Sequence, residues 1–139
     1  MDANNKQVPI ADNELKEKNP DLYHVARNKG TEMPFTGKYV DEKREGMYKC
    51  AVCGQVLFHS DAKMNSHSGP SGLQGWPSFD QAIPGSIEYR EDDSAGMHRT
   101  EVVCSNCKAH LGHLFDDESS PTGKHLCINS VCLDLEEKK

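Results

Sequence analysis

Two matched pairs of cysteines, Cys50-Ala51-Val52-Cys53 and Cys104-Ser105-Asn106-Cys107, constrain this chain more than any other feature. A two-residue gap lets one tight turn aim both sulfurs at a single ion, and two such turns complete the closed tetrahedron that structural zinc prefers. The expectation is one Zn²⁺ held by Cys50, Cys53, Cys104 and Cys107. Gly54 directly follows the first pair, where a positive φ lets the chain turn away from the metal. The alternatives are buried thiols or a redox C-x-x-C. A redox motif, however, needs one pair, and a flanking βαβ pattern that is absent here. A four-sulfur shell leaves no open coordination position, so the chemistry has to be sought elsewhere in the chain.

A chain of 139 residues has room for one compact domain. It reads as a disordered tail over residues 1–10 and a single zinc-containing domain over 11–139. No apolar run approaches the roughly 18 to 20 residues of a membrane span, and the polar start is unlike a signal peptide. The expectation is a cytoplasmic monomer away from membranes. Sixteen Lys and Arg against 22 Asp and Glu, with no basic block, give no footprint for nucleic acid. Only 6% of residues are aromatic. A tetrathiolate zinc, supplying on the order of 10 kcal/mol, offsets so small a supply of core side chains.

Residues 12–18 and 20–29 read as short helices, the second with Asn19 as N-cap, Pro20 at the first position and Gly30 as the stop. Leu22, Val25 and Ala26 give it an apolar face. Beyond Pro34 the pattern changes to short strands: 47–50 and 55–58 as hairpin arms around the first cysteine turn, then 86–90, 97–104, 110–115 and a long final run, 126–135. Residues 65–75 read as a flexible surface loop. The fold class expected is mainly β: antiparallel sheets in a small zinc-stabilised barrel or tent, with short N-terminal helices.

The final run holds the last two thiols, Cys127 and Cys132. On spacing alone each is either a small buried hydrophobe or a nucleophile. Asn129 lies two residues from Cys127, which puts both on one face of a strand. His110 and His113 have opposite parity, so a bend or bulge at Gly112 is needed if both reach one site.

The segments together resemble the methionine-R-sulfoxide reductases, the B-type enzymes. The strings that carry the resemblance run from Tyr23-His24-Val25 through Gly30-Thr31-Glu32 and Pro34-Phe35-Thr36-Gly37 to Gly75-Trp76-Pro77-Ser78-Phe79. They continue with Gly96-Met97-His98-Arg99-Thr100-Glu101-Val102, Ala109-His110-Leu111-Gly112-His113, Pro121-Thr122-Gly123 and Cys127-Ile128-Asn129-Ser130. The resemblance implies an oxidoreductase of protein repair under oxidative stress, which returns the R epimer of methionine sulfoxide in proteins and peptides to methionine. Cys127 matches the nucleophile, which passes through a sulfenic acid. Trp76, the single tryptophan, matches the residue lining the methyl pocket. His110 and His113 are candidates to deliver the proton the sulfoxide oxygen needs, and Asn129 to orient the sulfoxide or its histidine. Glu101 and Asp117 match acidic positions, where a carboxyl of raised pKa would serve as acid. Glu101 has the alternative of a salt bridge with Arg99.

Two departures from the family stand out. The loop before Gly75 holds no cysteine where many members carry a resolving thiol. Cys132, five residues from Cys127, lies roughly 16 Å away along a straight strand, beyond the reach of a disulfide. The expectation is therefore direct reduction of the sulfenic acid by thioredoxin or another external thiol. In addition, His125-Leu126 stands where the family has arginine and an aromatic, so a fixed cation beside the nucleophile is lost. The rival reading is a non-catalytic zinc-held β module that binds a ligand or a partner protein.

Overall fold

The computed structural model describes residues 9–65, 74–93, 96 and 98–138. Residues 1–8 of the tail expected over 1–10, most of the expected loop over 65–75, and Met97 lie outside the described residues. The fold opens with two helices, α1 (Asp12–Lys18) and α2 (Pro20–Asn28). Asn19 caps α2 by accepting from the Leu22 amide at 3.3 Å, and Pro20 occupies the first turn, where its missing N–H costs nothing. Lys29, at φ 57°, ends the helix in the left-handed region, and the Gly30 amide then donates to the His24 carbonyl. Leu22, Val25 and Ala26 are buried as the apolar stripe requires.

Among the described residues nine strands follow, in two antiparallel sheets. The smaller sheet has the order β2 (Val56–His59), β1 (Gly46–Cys50), β9 (Leu133–Glu137). The larger has the order β3 (Lys63–Met64), β4 (Ser78–Phe79), β8 (Lys124–Ile128), β7 (His110–Asp116), β6 (Arg99–Cys104), β5 (Ile87–Asp92). The core between them is built on few but well-used aromatics. Phe58 of the small sheet stacks on Phe79 of the large one at 4.2 Å between centroids, and Tyr48 meets Phe79 edge-on at 5.2 Å.

The reading of 126–135 as one strand is overturned. The chain leaves the large sheet after Ile128, makes a 3₁₀ turn over Ser130–Cys132, and joins the small sheet as β9. A distant carboxylate stabilises the break: Glu32 accepts from the Ser130 amide at 2.7 Å and the Val131 amide at 3.2 Å. The straight-strand distance between Cys127 and Cys132 therefore does not apply. Cys132 is separated from the nucleophile position in another way, by packing in the hydrophobic core with its thiol donating to the His110 carbonyl at 3.3 Å.

Candidate functional site

The two cysteine turns are built alike. In each, the residue after the second cysteine adopts a positive φ, 84° at Gly54 and 63° at Lys108, and returns its amide to the carbonyl of the first cysteine at 2.7 and 2.8 Å. The Gly54 expectation holds; Lys108 accepts the same conformation despite its Cβ. The four sulfurs lie within 4.8 Å of one another, with Cys50 to Cys107 at 3.7 Å and Cys53 to Cys104 at 3.6 Å. A tetrahedron of thiolates about 2.3 Å from a zinc ion has edges of about 3.8 Å. These separations are also far beyond a sulfur–sulfur bond, and none of the six cysteines is in a disulfide. The Cys104 sulfur raises the thiols of Cys50 and Cys107 and lowers that of Cys53. Four sulfurs this close cannot all ionise unless a cation shares them, which is what a metal supplies. The residues present fit a structural metal site. Cys50 ends β1 and Cys104 ends β6, so the site ties the small sheet to the large one.

The second site lies on the large sheet and is set by register. Ser78 pairs with Cys127, Cys127 with His113, His113 with Glu101 and Glu101 with Arg90, a single row across five strands. Directly opposed residues of antiparallel strands share a face, so all five side chains leave the sheet on one side. The bulge demanded by the two histidines is present: Val102 pairs with Gly112 and Val103 with His110, leaving Leu111 as the extra residue. That insertion turns His110 onto the face of His113, and their rings lie 5.2 Å apart. Gly112 has a second reason to be glycine, because a Cβ there would meet the Cys127 carbonyl oxygen far inside contact distance.

Each histidine is held by a buried carboxylate. His110 Nδ1 lies 2.7 Å from Glu101, and His113 Nε2 lies 2.7 Å from Asp92. Burial pushes His110 below its ordinary range, so it is a neutral imidazole that donates from Nδ1 and leaves Nε2 with no protein partner among the described residues. Lys29, at the end of α2, neutralises the pair of acids from 3.5 Å on Glu101 and 3.7 Å on Asp92. The alternative pairing of Glu101 with Arg99 is not what forms: Arg99 lies 3.8 Å from Asp92.

Cys127 opens into a pocket of about 100 Å³ lined by Trp76, Arg99, His113, Phe115 and Asn129. Its thiol is pushed up to about 12 by burial; the opposed Ser78 side chain lowers it, and the negative charge of Asp117 adds a smaller rise. Trp76 is fixed by its indole N–H, which donates to the Glu32 carbonyl at 3.0 Å. Asn129 lines the pocket, but its amide ends are engaged: Oδ1 accepts from the Glu32 amide at 3.0 Å and Nδ2 donates to the Leu111 carbonyl at 2.9 Å. It fastens the segment after α2 to the bulge.

Asp117 sits outside the pocket wall. His125 Nδ1 lies 2.8 Å from it, and this bond, with those from Ser119, holds the carboxyl below its ordinary value. The expectation of a carboxyl raised enough to act as an acid fails at Asp117, because a histidine donor stabilises the carboxylate. A larger groove of about 710 Å³ runs beside α2 but has no cysteine in its wall. Sequence reasoning missed Asp92, Lys29 and Ser78 as parts of the site. Ser78 lay inside a family string, whereas nothing local marks Asp92 or Lys29.

Comparison with known proteins gives a consistent neighbourhood. The family model described as the SelR domain matches residues 18–137. Methionine-R-sulfoxide reductase B3, mitochondrial, of Mus musculus is 48% identical over 134 residues, covering 95% of this chain and 51% of the mouse protein. The chain thus spans about half the length of that relative. The peptide methionine sulfoxide reductase MsrB of Methanosarcina barkeri is 49% identical over 121 residues, 86% of this chain and 81% of the relative. That of Pseudomonas fluorescens is 53% identical over 118 residues, 84% and 85% respectively.

Proposed function

The chain belongs to the SelR-domain family of methionine-R-sulfoxide reductases, and from that premise we propose that it reduces the R epimer of peptide-bound methionine sulfoxide with Cys127 as nucleophile. The observation that carries the reading is Cys127 at the mouth of a small pocket between Trp76 and His113. The Cys127 thiolate attacks the sulfoxide sulfur, the sulfur–oxygen bond breaks, and the oxygen ends on cysteine as sulfenic acid with one proton taken up. The sulfoxide sulfur gains two electrons and Cys127 loses them. His113, oriented by Asp92, supplies that proton at the sulfoxide oxygen, and neutral His110, held by Glu101 with its ring beside that of His113, serves as a relay behind it. Trp76 and Phe115 offer apolar faces to the methyl group, and Asn129 keeps the wall in place. Asp117 acts through His125 rather than on the substrate.

The ion at the four cysteines is Zn²⁺, whose preference for a tetrahedral sulfur shell suits their spacing, and its role is to fix the two sheets against each other. The core position of Cys132 supports an external route for recycling: thioredoxin or another thiol condenses with the sulfenic acid, releasing water, and a second thiol frees Cys127. Six cysteines with no disulfide among them suit a reducing compartment such as the cytoplasm. Among the described residues no helix is long and apolar enough to cross a membrane.

Turnover of separated R and S epimers of a dabsylated methionine sulfoxide, with dithiothreitol as donor, tests the assignment. Activity on R alone is expected, and equal activity on S overturns it.

A further inference from the structure

Two sets of titratable groups flank the Cys127 sulfur. On the β7 side are His113 and His110, each with one ring nitrogen on a carboxylate. On the β4 side is a chain that neither the sulfoxide nor the metal requires. Asp117 lies 2.8 Å from His125 Nδ1, His125 Nε2 lies 2.9 Å from Ser78 Oγ, and Ser78 is the cross-strand partner of Cys127. His125 is 2% exposed and Ser78 fully buried, so water does not substitute for either bond. His125 and Cys127 are two apart on β8 and share its face.

We propose that Asp117, His125 and Ser78 form a proton relay that takes the proton from the Cys127 thiol, leaving the β7-side histidines to serve the sulfoxide oxygen. The proposal rests on Cys127 being the nucleophile. The thiol hydrogen passes to Ser78 Oγ while the Ser78 hydroxyl proton passes to His125 Nε2. The products are a Cys127 thiolate, an intact Ser78 hydroxyl now donating to that thiolate, and an imidazolium paired with the Asp117 carboxylate. No electron moves and no co-reactant is needed. The reverse transfer resets the relay when Cys127 is restored as a thiol.

Two observations favour this division, and a third sets its condition. Asp117 accepts at Nδ1, which fixes the tautomer with Nε2 as the acceptor facing Ser78, the orientation a base requires. The Trp76 carbonyl, 3.0 Å from Ser78 Oγ, is a competing acceptor for the one hydroxyl proton, so the relay runs when the hydroxyl turns from Trp76 to His125. Finally, a thiol as buried as Cys127 needs a base within reach of its sulfur, and Ser78 stands directly opposite it on the neighbouring strand, on the same face of the sheet. The groups that face His125 among the described residues are Asp117 from the β7–β8 connection, Ser78 from β4, Cys127 on its own strand, and the uncharged Phe115 across on β7. The relay also answers the sequence departure at this position: a histidine that takes the thiol proton replaces a cation that is always present.

The test is the pH dependence of iodoacetamide alkylation at Cys127, followed by peptide mass in the zinc-loaded full chain, for the wild type, Ser78→Ala, His125→Gln and Asp117→Asn. Alkylation needs no sulfoxide, so its outcome is separate from that of the functional assignment. Ser78→Ala and His125→Gln should each move the midpoint of Cys127 reactivity up by at least one pH unit, about a tenfold loss of rate below the midpoint. The double variant should be no worse than either single one, and Asp117→Asn should give a smaller shift in the same direction. Near-ultraviolet dichroism and zinc content check folding. If His125→Gln does not fold, Ser78→Ala, which removes one oxygen, decides the matter alone. Unchanged midpoints in folded Ser78→Ala overturn the relay, as do fully additive shifts in the double variant.

Discussion

The chain buries its sulfurs in two very different ways. At the cysteine cluster, four sulfurs crowd within 4.8 Å on two similar turns, an arrangement that fits a structural metal shared among them. At Cys127 a single thiol is buried apart from any other sulfur, with Ser78 and His113 as its cross-strand neighbours and Arg99 in the wall of the same pocket. The first arrangement is closed and holds structure; the second opens into a pocket and holds reactivity. The difference lies in what each sulfur is offered, since burial alone does not separate Cys127 from the outer members of the cluster. Cys127 is 9% exposed and Cys107 8%.

Removing one sulfur from each region should separate these roles most sharply. Cys104→Ser should lose the metal and the folded state together, because the site joins β1 to β6 and metal binding contributes on the order of 10 kcal/mol. Metal analysis and far-ultraviolet dichroism check this, and a folded metal-free variant would break the comparison. Cys127→Ser should do the opposite, keeping metal and fold while turnover of the R-sulfoxide drops to background. Next in size is His113→Gln, which keeps a side chain on Asp92 but cannot pass a proton. Its kcat should fall by about 10² to 10⁴. Trp76→Ala should mainly raise KM, by about tenfold, as apolar contact with the methyl group is lost. Kinetics on a dabsylated substrate measure both.

The smallest effect concerns acid stability. His125 holds the Asp117 carboxyl below its ordinary value of 3.8. A carboxyl lowered by folding stabilises the folded state above its unfolded pKa, and that contribution disappears as the pH falls through the folded value. Asp117→Asn should therefore flatten the loss of stability from roughly pH 5 downward while leaving metal content unchanged. Urea unfolding at a series of pH values measures it, and identical acid slopes would show that the bond to His125 adds nothing.

The metal region was almost fully legible in the sequence, because its geometry is local: two C-x-x-C turns, each needing only its own backbone. The thiol site was legible in its members and less so in its wiring. The parity of His110 and His113 correctly demanded an irregularity, and it falls at Leu111, beside the Gly112 that was expected to carry it. The break at Ser130 could not be read from an apolar, β-branched run, since the carboxylate that caps it comes from Glu32, 98 residues away in the chain. Asp92 was invisible for the same reason. Its place beside His113 depends on the register of β5 against β6, which no local pattern encodes.

A single turnover without reductant tests the central claim most directly. Zinc-loaded protein is mixed with excess peptide R-sulfoxide, and methionine formed and the mass of each cysteine peptide are followed. The expected result is one methionine per chain and one oxygen atom, trapped as a sulfenic acid adduct, on Cys127 alone. Oxidation centred on the four clustered cysteines or on Cys132, with Cys127 still a thiol, would contradict it.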